Sequence, residues 1–268
     1  MKGIKNGCVE IDDTDMYYVS FGTGEKNLVA LPGLSDGLTT VKGKAIALMP
    51  AYTKFLKEFT VYIFSRKNVI PDGYTIEQMA DDQVKVMKSL GINKACVLGV
   101  SQGGMIAQYI AIKYPEIVDK LILAVTAPYA NATVVDAVSY WIEMAQKEDH
   151  FSLMLDTAKR MYSKKFLDKY EKYMSLFSKL TKPNDYDRFL KNANAILKFD
   201  VRERLIEIES KTLIIAGSDD KTIGNDAPSE LTEGIKGSEL HIYDGLGHGA
   251  FEEADDFYDR VYKFCCDS

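Results

Sequence analysis

Short apolar runs alternate in this chain with longer stretches where apolar residues recur every three to four positions. Lys26–Leu31, Thr60–Phe64, Ala95–Leu98, Val118–Val125, Lys211–Ala216 and Glu239–Tyr243 are runs of the length and composition of buried strands. Ala45–Phe59, Thr75–Leu90, Ser229–Ile235 and Asp255–Cys265 carry helical spacing, as do Met105, Ile106, Tyr109 and Ile110 after Ser101. Thr75 is placed to cap its helix, with Gln78 completing a capping box and Gly91 past the end. Residues 8–13 and 16–21 predict an antiparallel pair turning at the acidic cluster Asp12–Asp15. From residue 26 strands and helices alternate, which predicts βαβ units, a mostly parallel sheet, and function at the carboxyl ends of its strands.

Residues 131–200 interrupt this rhythm, because no convincing strand occurs in them. They hold 11 of the 29 aromatic residues and four of the ten methionines, and they carry a charge of +2 against -8 for the rest of the chain. Trp141, Met144 and Ala145, then Phe166, Tyr170, Tyr173 and Phe177, fall at helical spacing, so the segment reads as an all-helical insertion with an apolar face. That face packs on the body, lines an apolar pocket, or does both.

Length and composition narrow the function. With 268 residues and 46% apolar content the chain can build one large α/β domain. A net charge of -6 disfavours nucleic acid and anionic membrane surfaces as partners. The start has no apolar core of signal-peptide length and no stretch approaches a membrane span, so a cytoplasmic protein is expected. Cys8, Cys96, Cys265 and Cys266 lack metal-ligand or disulfide-framework spacing, and no metal or cofactor is expected.

The chemistry centres on Gly99-Val100-Ser101-Gln102-Gly103, a G-x-S-x-G between a predicted strand and a predicted helix. Glycines on either side of a serine in such a turn keep Cβ atoms out of a crowded backbone and leave the hydroxyl presented above the sheet. A serine nucleophile needs a base, and the base works best when a carboxylate fixes its tautomer. Of the three histidines, His150 lies within the helical segment and His241 within a predicted strand. His248 lies in the loop Gly245–Gly249 directly after the last strand. Two carboxylates, Asp219 and Asp220, follow the strand Lys211–Ala216; Asp220 is the preferred acid and Asp219 the turn residue. The loop after Val125 begins Thr126-Ala127-Pro128 and offers no carboxylate.

The order Ser101, Asp220, His248, with the serine in a G-x-S-x-G turn, resembles the α/β-hydrolase fold family over nearly the whole chain. The resemblance implies a mostly parallel central sheet flanked by helices, with residues 1–130 and 201–268 as the core and 131–200 as a helical cap. It also implies an oxyanion hole from the backbone N–H groups of Gln102 and of Leu34, in the loop after the third strand. Two departures stand out: Pro32-Gly33 replaces the common His-Gly, and Phe64-Ser65-Arg66-Lys67 replaces the common D-x-R-G. Relatives with an aspartate nucleophile, such as epoxide hydrolases and haloalkane dehalogenases, are disfavoured by Ser101.

The resulting expectation is a cofactor-independent serine hydrolase acting on a small to medium, partly apolar ester or thioester, with Trp141, Met144 and Phe177 as candidate pocket residues. The same triad also serves amide, lactone and carbon-carbon bond hydrolysis, acyl transfer and peracid formation. A small-molecule receptor with little turnover is the alternative from another class.

Overall fold

The computed structural model describes residues 3–12, 14–170 and 173–267, with the side chains of Tyr170, Met174 and Phe177 outside the described set. Eight strands form one sheet: β1 (Lys5–Ile11), β2 (Thr14–Phe21), β3 (Lys26–Leu31), β4 (Phe59–Lys67), β5 (Ala95–Val100), β6 (Val118–Ala124), β7 (Lys211–Gly217) and β8 (Glu239–Tyr243). Their order is β1-β2-β4-β3-β5-β6-β7-β8. The first two pairings are antiparallel and every pairing from β4 to β8 is parallel. The predicted β1–β2 turn includes Asp13, which lies outside the described residues.

The central strands are apolar on both faces because both are covered. In β5, Ala95 and Val97 face one apolar cluster while Cys96 and Leu98 face the other, the period of two that a pleated strand imposes. Helices α2 (Ile76–Ser89) and α3 (Gln102–Lys113) cover the first face, together with α9 (Ala227–Gly234). Helices α1 (Ala45–Leu48) and α11 (Phe257–Cys266) cover the second, and the short α10 (Ala250–Glu253) precedes α11. The Thr75 capping box forms as predicted, with Gln78 N–H donating to Thr75 Oγ1 at 3.2 Å and Thr75 N–H to Gln78 Oε1 at 2.9 Å.

Two predicted boundaries are corrected. The single helix expected over Ala45–Phe59 is a four-residue helix followed by a 3-10 run, Met49–Phe55. Pro50 supplies no N–H to an α-helical ladder, and the backbone kinks at Tyr52. Strand β4 runs on to Lys67 instead of ending at Phe64, because β2 pairs with it as far as that residue.

Between β6 and β7 the chain forms α4 (Ala132–Gln146), α5 (His150–Met161), α6 (Lys164–Tyr170), α7 (Met174–Thr181) and α8 (Asp187–Ile196). The chain leaves and returns at one place. Tyr129 and Asp200 form an antiparallel bridge, with Ala130 N–H donating to Phe199 O and Val201 N–H to Pro128 O, each at 3.0 Å. Val134, Trp141, Leu153 and Phe189 of these helices belong to the same apolar cluster that α2 and α3 form against the sheet.

Candidate active site

Parallel strands end at one sheet edge, so the loops after β5, β7 and β8 gather there. Ser101 directly follows β5 and has φ 54 and ψ -120. Positive φ is costly for a residue with a side chain, ~1–3 kcal/mol, and persists where the surroundings enforce it. Here they do: Ser101 N–H donates to Ala124 O at 2.9 Å, and Thr126 Oγ1 donates to Ser101 O at 2.8 Å. A Cβ on Gly99 would lie 2.5 Å from Gly103 O, and one on Gly103 would lie 1.9 Å from Leu31 O. The two glycines of the motif therefore let β5, α3 and the end of β3 converge beneath the serine. Val125, beside this turn, also has positive φ, 44°, although it is β-branched.

His248 Nε2 lies 2.9 Å from Ser101 Oγ, and His248 Nδ1 lies 2.8 Å from Asp220 Oδ2. Asp220 Oδ1 accepts from the backbone N–H groups of Thr222 and Ile223 at 2.8 and 3.0 Å, so its other oxygen is aimed at the ring. Asp220 and His248 are buried, whereas Ser101 keeps some exposure. A carboxylate on Nδ1 fixes the tautomer in which Nε2 carries a lone pair toward the hydroxyl. Asp219 occupies the turn and uses its N–H to hold Leu246 O at 2.9 Å. The structure thus brings Ser101, Asp220 and His248 into one hydrogen-bonded row and leaves Asp219 outside it.

The loop after β3 passes over the serine, since a Cβ on Gly33 would lie 3.3 Å from Ser101 Cβ and 3.7 Å from Ser101 Oγ. Leu34 opens the 3-10 turn Leu34–Gly37 and Gln102 opens α3. The first N–H groups of a helix have no acceptor within it, so the N–H groups of Leu34 and Gln102 are left without an intrahelical partner.

The other two histidines lie apart from this row. His150 is buried, with Nε2 3.1 Å from Thr181 Oγ1, and burial holds its imidazole below the ordinary value. His241 stacks edge-on against Tyr243. Trp141 and Met144 are buried in the helix packing, and the Trp141 indole donates to Asp156 Oδ2 at 2.8 Å. Phe177 lies in α7, with its side chain outside the described residues. Among the described residues no cluster of His, Cys, Asp or Glu could hold a metal ion, and no helix is long and apolar enough to cross a membrane.

Contacts from the helices between β6 and β7 were not foreseen from the sequence. Gly249 N–H, next to His248, donates to Met161 O at 2.7 Å, and Arg160 Nη1 donates to Lys221 O at 3.2 Å beside Asp220. On the opposite side Arg188 Nη2 meets Asp36 Oδ2 at 2.6 Å, and Gln102 Nε2 donates to Asn192 O at 2.8 Å. Arg66, 1% exposed, donates from Nη2 to Gln102 Oε1 at 2.9 Å, and burial pulls its guanidinium down to about 10 while Asp36 works in the opposite direction. The departure at Phe64–Lys67 was the one sequence signal pointing here. Arg188 also borders a cavity of about 610 Å³ between the end of β4 and the α7–α8 connection.

Comparison with known proteins agrees with this architecture. The chain is 30% identical over 261 residues to the 2-hydroxy-6-oxononadienedioate/2-hydroxy-6-oxononatrienedioate hydrolase of Escherichia coli K12, covering 93% of this chain and 90% of that one. It superposes on MGS-M2, an alpha/beta hydrolase enzyme from a Medee basin deep-sea metagenome library, with a TM-score of 0.87 at 22% identity, over 98% of each chain. For the enol-lactonase of Burkholderia xenovorans LB400 the TM-score is 0.82 at 21% identity, over 97% of this chain and 100% of that one. Residues 52–255 match the family model of the alpha/beta hydrolase fold, and with the sheet order and the extended similarity to the E. coli enzyme this means that the chain belongs to the α/β-hydrolase family.

Proposed function

We propose that this hydrolase is a cofactor-independent serine enzyme that cleaves a carboxylic ester or thioester of a small to medium, partly apolar substrate in the cytoplasm. The observation that carries this reading is the row Ser101 Oγ, His248, Asp220, at 2.9 and 2.8 Å, with the serine held at positive φ. Ser101 Oγ attacks the acyl carbon as its proton passes to His248 Nε2. Asp220 accepts from Nδ1–H and stabilises the imidazolium. The carbonyl oxygen becomes an oxyanion held by the N–H groups of Leu34 and Gln102, of which one donor is worth ~3–4 kcal/mol in a comparable site. The intermediate collapses, and the leaving alcohol or thiol takes the proton from His248. Water then gives a proton to His248, attacks the acyl-enzyme, and the acid departs as Ser101 recovers its hydrogen.

In this reading residues 131–200 are a cap over the core of residues 1–130 and 201–268, with Trp141 and Met144 bordering the acyl pocket. A second reading, hydrolysis of a carbon-carbon bond next to a ketone, is favoured by the extent of the similarity to the E. coli oxo-dienedioate hydrolase.

A fluorophosphonate probe followed by peptide mapping tests the nucleophile, and a panel of p-nitrophenyl esters of graded acyl length, run beside a 2-hydroxy-6-oxo-dienoate, separates the two readings. Labelling at Ser101 with ester turnover exceeding dienoate turnover is the expected result. An unlabelled serine overturns both readings, and faster dienoate cleavage overturns the ester assignment.

A further inference from the structure

Five residues around the oxyanion loop form a closed ring of hydrogen bonds. Arg188 Nη2 meets Asp36 Oδ2 at 2.6 Å, and the same oxygen accepts from Arg66 N–H at 2.9 Å. Arg66 Nη2 donates to Gln102 Oε1 at 2.9 Å, Gln102 Nε2 to Asn192 O at 2.8 Å, and Asn192 Nδ2 back to Arg188 O at 2.7 Å. Arg188 further donates from Nε to Asp36 O at 3.2 Å and from Nη2 to Arg66 O at 3.0 Å. Asp36, Arg66, Gln102 and Asn192 are all buried.

Buried ion networks contribute little net stability compared with well-packed apolar replacements. This ring even leaves Asp36 Oδ1, Arg66 Nε and Asn192 Oδ1 without a protein partner among the described residues. Stability is therefore a weak account of it, and its position suggests a better one. Asp36 lies two residues after Leu34 in the same 3-10 turn, and the side chain of Gln102 belongs to the residue whose N–H opens α3. The ring therefore grips, from α8, both segments that carry the N–H groups assigned to the oxyanion hole under the proposed mechanism.

We propose that Arg188 is a positioning residue that holds the Leu34 and Gln102 donors in register, so that the oxyanion hole is assembled only while α8 is seated on the Leu34–Gly37 turn. The inference rests on the serine-hydrolase reading. Arg188 does not touch the reacting atoms; it acts through Asp36, and through Arg66 on Gln102.

The test compares Arg188→Met, Arg188→Lys, Gln102→Met and the double variant Arg188→Met/Gln102→Met. It reads the rate of fluorophosphonate labelling at Ser101, kcat and KM on p-nitrophenyl acetate, the pH profile of turnover, and the thermal midpoint. Loss of one complete donor lowers kcat ~10²–10³-fold, so a displaced pair should lower kcat and labelling ~10- to 100-fold with KM little changed. Arg188→Lys should recover part of the loss, the double variant should fall no further than the worse single one, and the pH profile should keep its shape because His248 and Asp220 are untouched. Gln102→Met removes two hydrogen bonds and no charge, so it carries the test even if Arg188→Met does not fold. A lower midpoint with kcat and labelling at the wild-type level overturns the positioning role, as does a rise in KM alone. An unlabelled wild-type protein overturns the serine-hydrolase reading and this inference together, whereas equal labelling of wild type and variants overturns only the inference.

Discussion

Ser101, Asp220 and His248 each lie within five residues of a strand end, whereas α4–α8 reach the same site through long side chains and single backbone hydrogen bonds. The sheet places its groups by register: β5, β6, β7 and β8 are paired in parallel, so neighbouring loops have fixed spacing whatever their sequences. The helices instead act on loops the sheet has already placed. Met161 O holds the loop of His248, Arg160 the loop of Asp220, and Arg188 the loop of Leu34. In the proposed mechanism the chemistry thus resides in one region and much of its restraint in another, and substitutions in the two regions should fail differently.

The largest effect is expected in the sheet loops. His248→Ala should lower kcat by ~10⁵- to 10⁶-fold, as loss of the base does in a well-studied serine protease. Asp220→Asn keeps the shape but loses the charge that fixes the tautomer, and should cost ~10⁴-fold. Asp219→Asn should stay close to wild type, because that residue contributes its backbone N–H. Steady-state ester hydrolysis measures all three, and a larger loss at Asp219 than at Asp220 would reassign the acid.

A smaller effect, and the sharper comparison, is expected among the helices. Met144→Ala should shift the ratio of kcat/KM for long against short acyl esters toward the longer by ~10-fold or more, equivalent to ~1–3 kcal/mol at the transition state. Trp141→Ala should lose ~3–5 kcal/mol of stability as well, because a large buried ring is deleted and Asp156 loses its indole donor. Chain-length profiles with parallel denaturant unfolding separate the two outcomes. A flat ratio in both variants would make these side chains packing alone.

The smallest effect concerns His150, which joins α5 to α7 through Thr181. Burial, with Lys182 adding to it, holds its imidazole below the ordinary value. Between the ordinary value and the lowered one the unfolded chain binds more protons than the folded one. The contribution to stability is therefore complete above ~6.5 and is lost as pH falls from there toward the folded value. The thermal midpoint should drop between about pH 7.5 and about pH 5.5, and drop less in His150→Gln. Identical slopes would remove His150 from the account.

The same division explains how far the sequence could be read. Strands buried on both faces leave apolar runs, as in β5 and in Leu121–Ala124 of β6, and a G-x-S-x-G at the end of one marks the turn that follows. The capping box at Thr75 was legible because all its atoms come from four consecutive residues. The break at Pro50 was visible as a residue type but was overridden by the apolar spacing around it. The ring of Asp36, Arg66, Gln102, Arg188 and Asn192 was not legible, because it joins four separate elements and charge composition alone does not reveal a buried arginine. Val125 was equally hidden: a β-branched residue in a predicted strand gives no sign of a positive φ imposed by its neighbours.

The bridge between Tyr129 and Asp200 has an evolutionary consequence. Seventy residues depart and return on a single rung, while β6 and β7 remain paired from Lys120–Lys211 to Ala124–Ile215. An excursion closed in this way can lengthen, shorten or be exchanged without altering the strand register, since its ends are already adjacent. Inheritance can then treat the two sides of that rung separately: the strand-borne groups keep their addresses, while the excursion diverges at the pace of whatever it must accommodate.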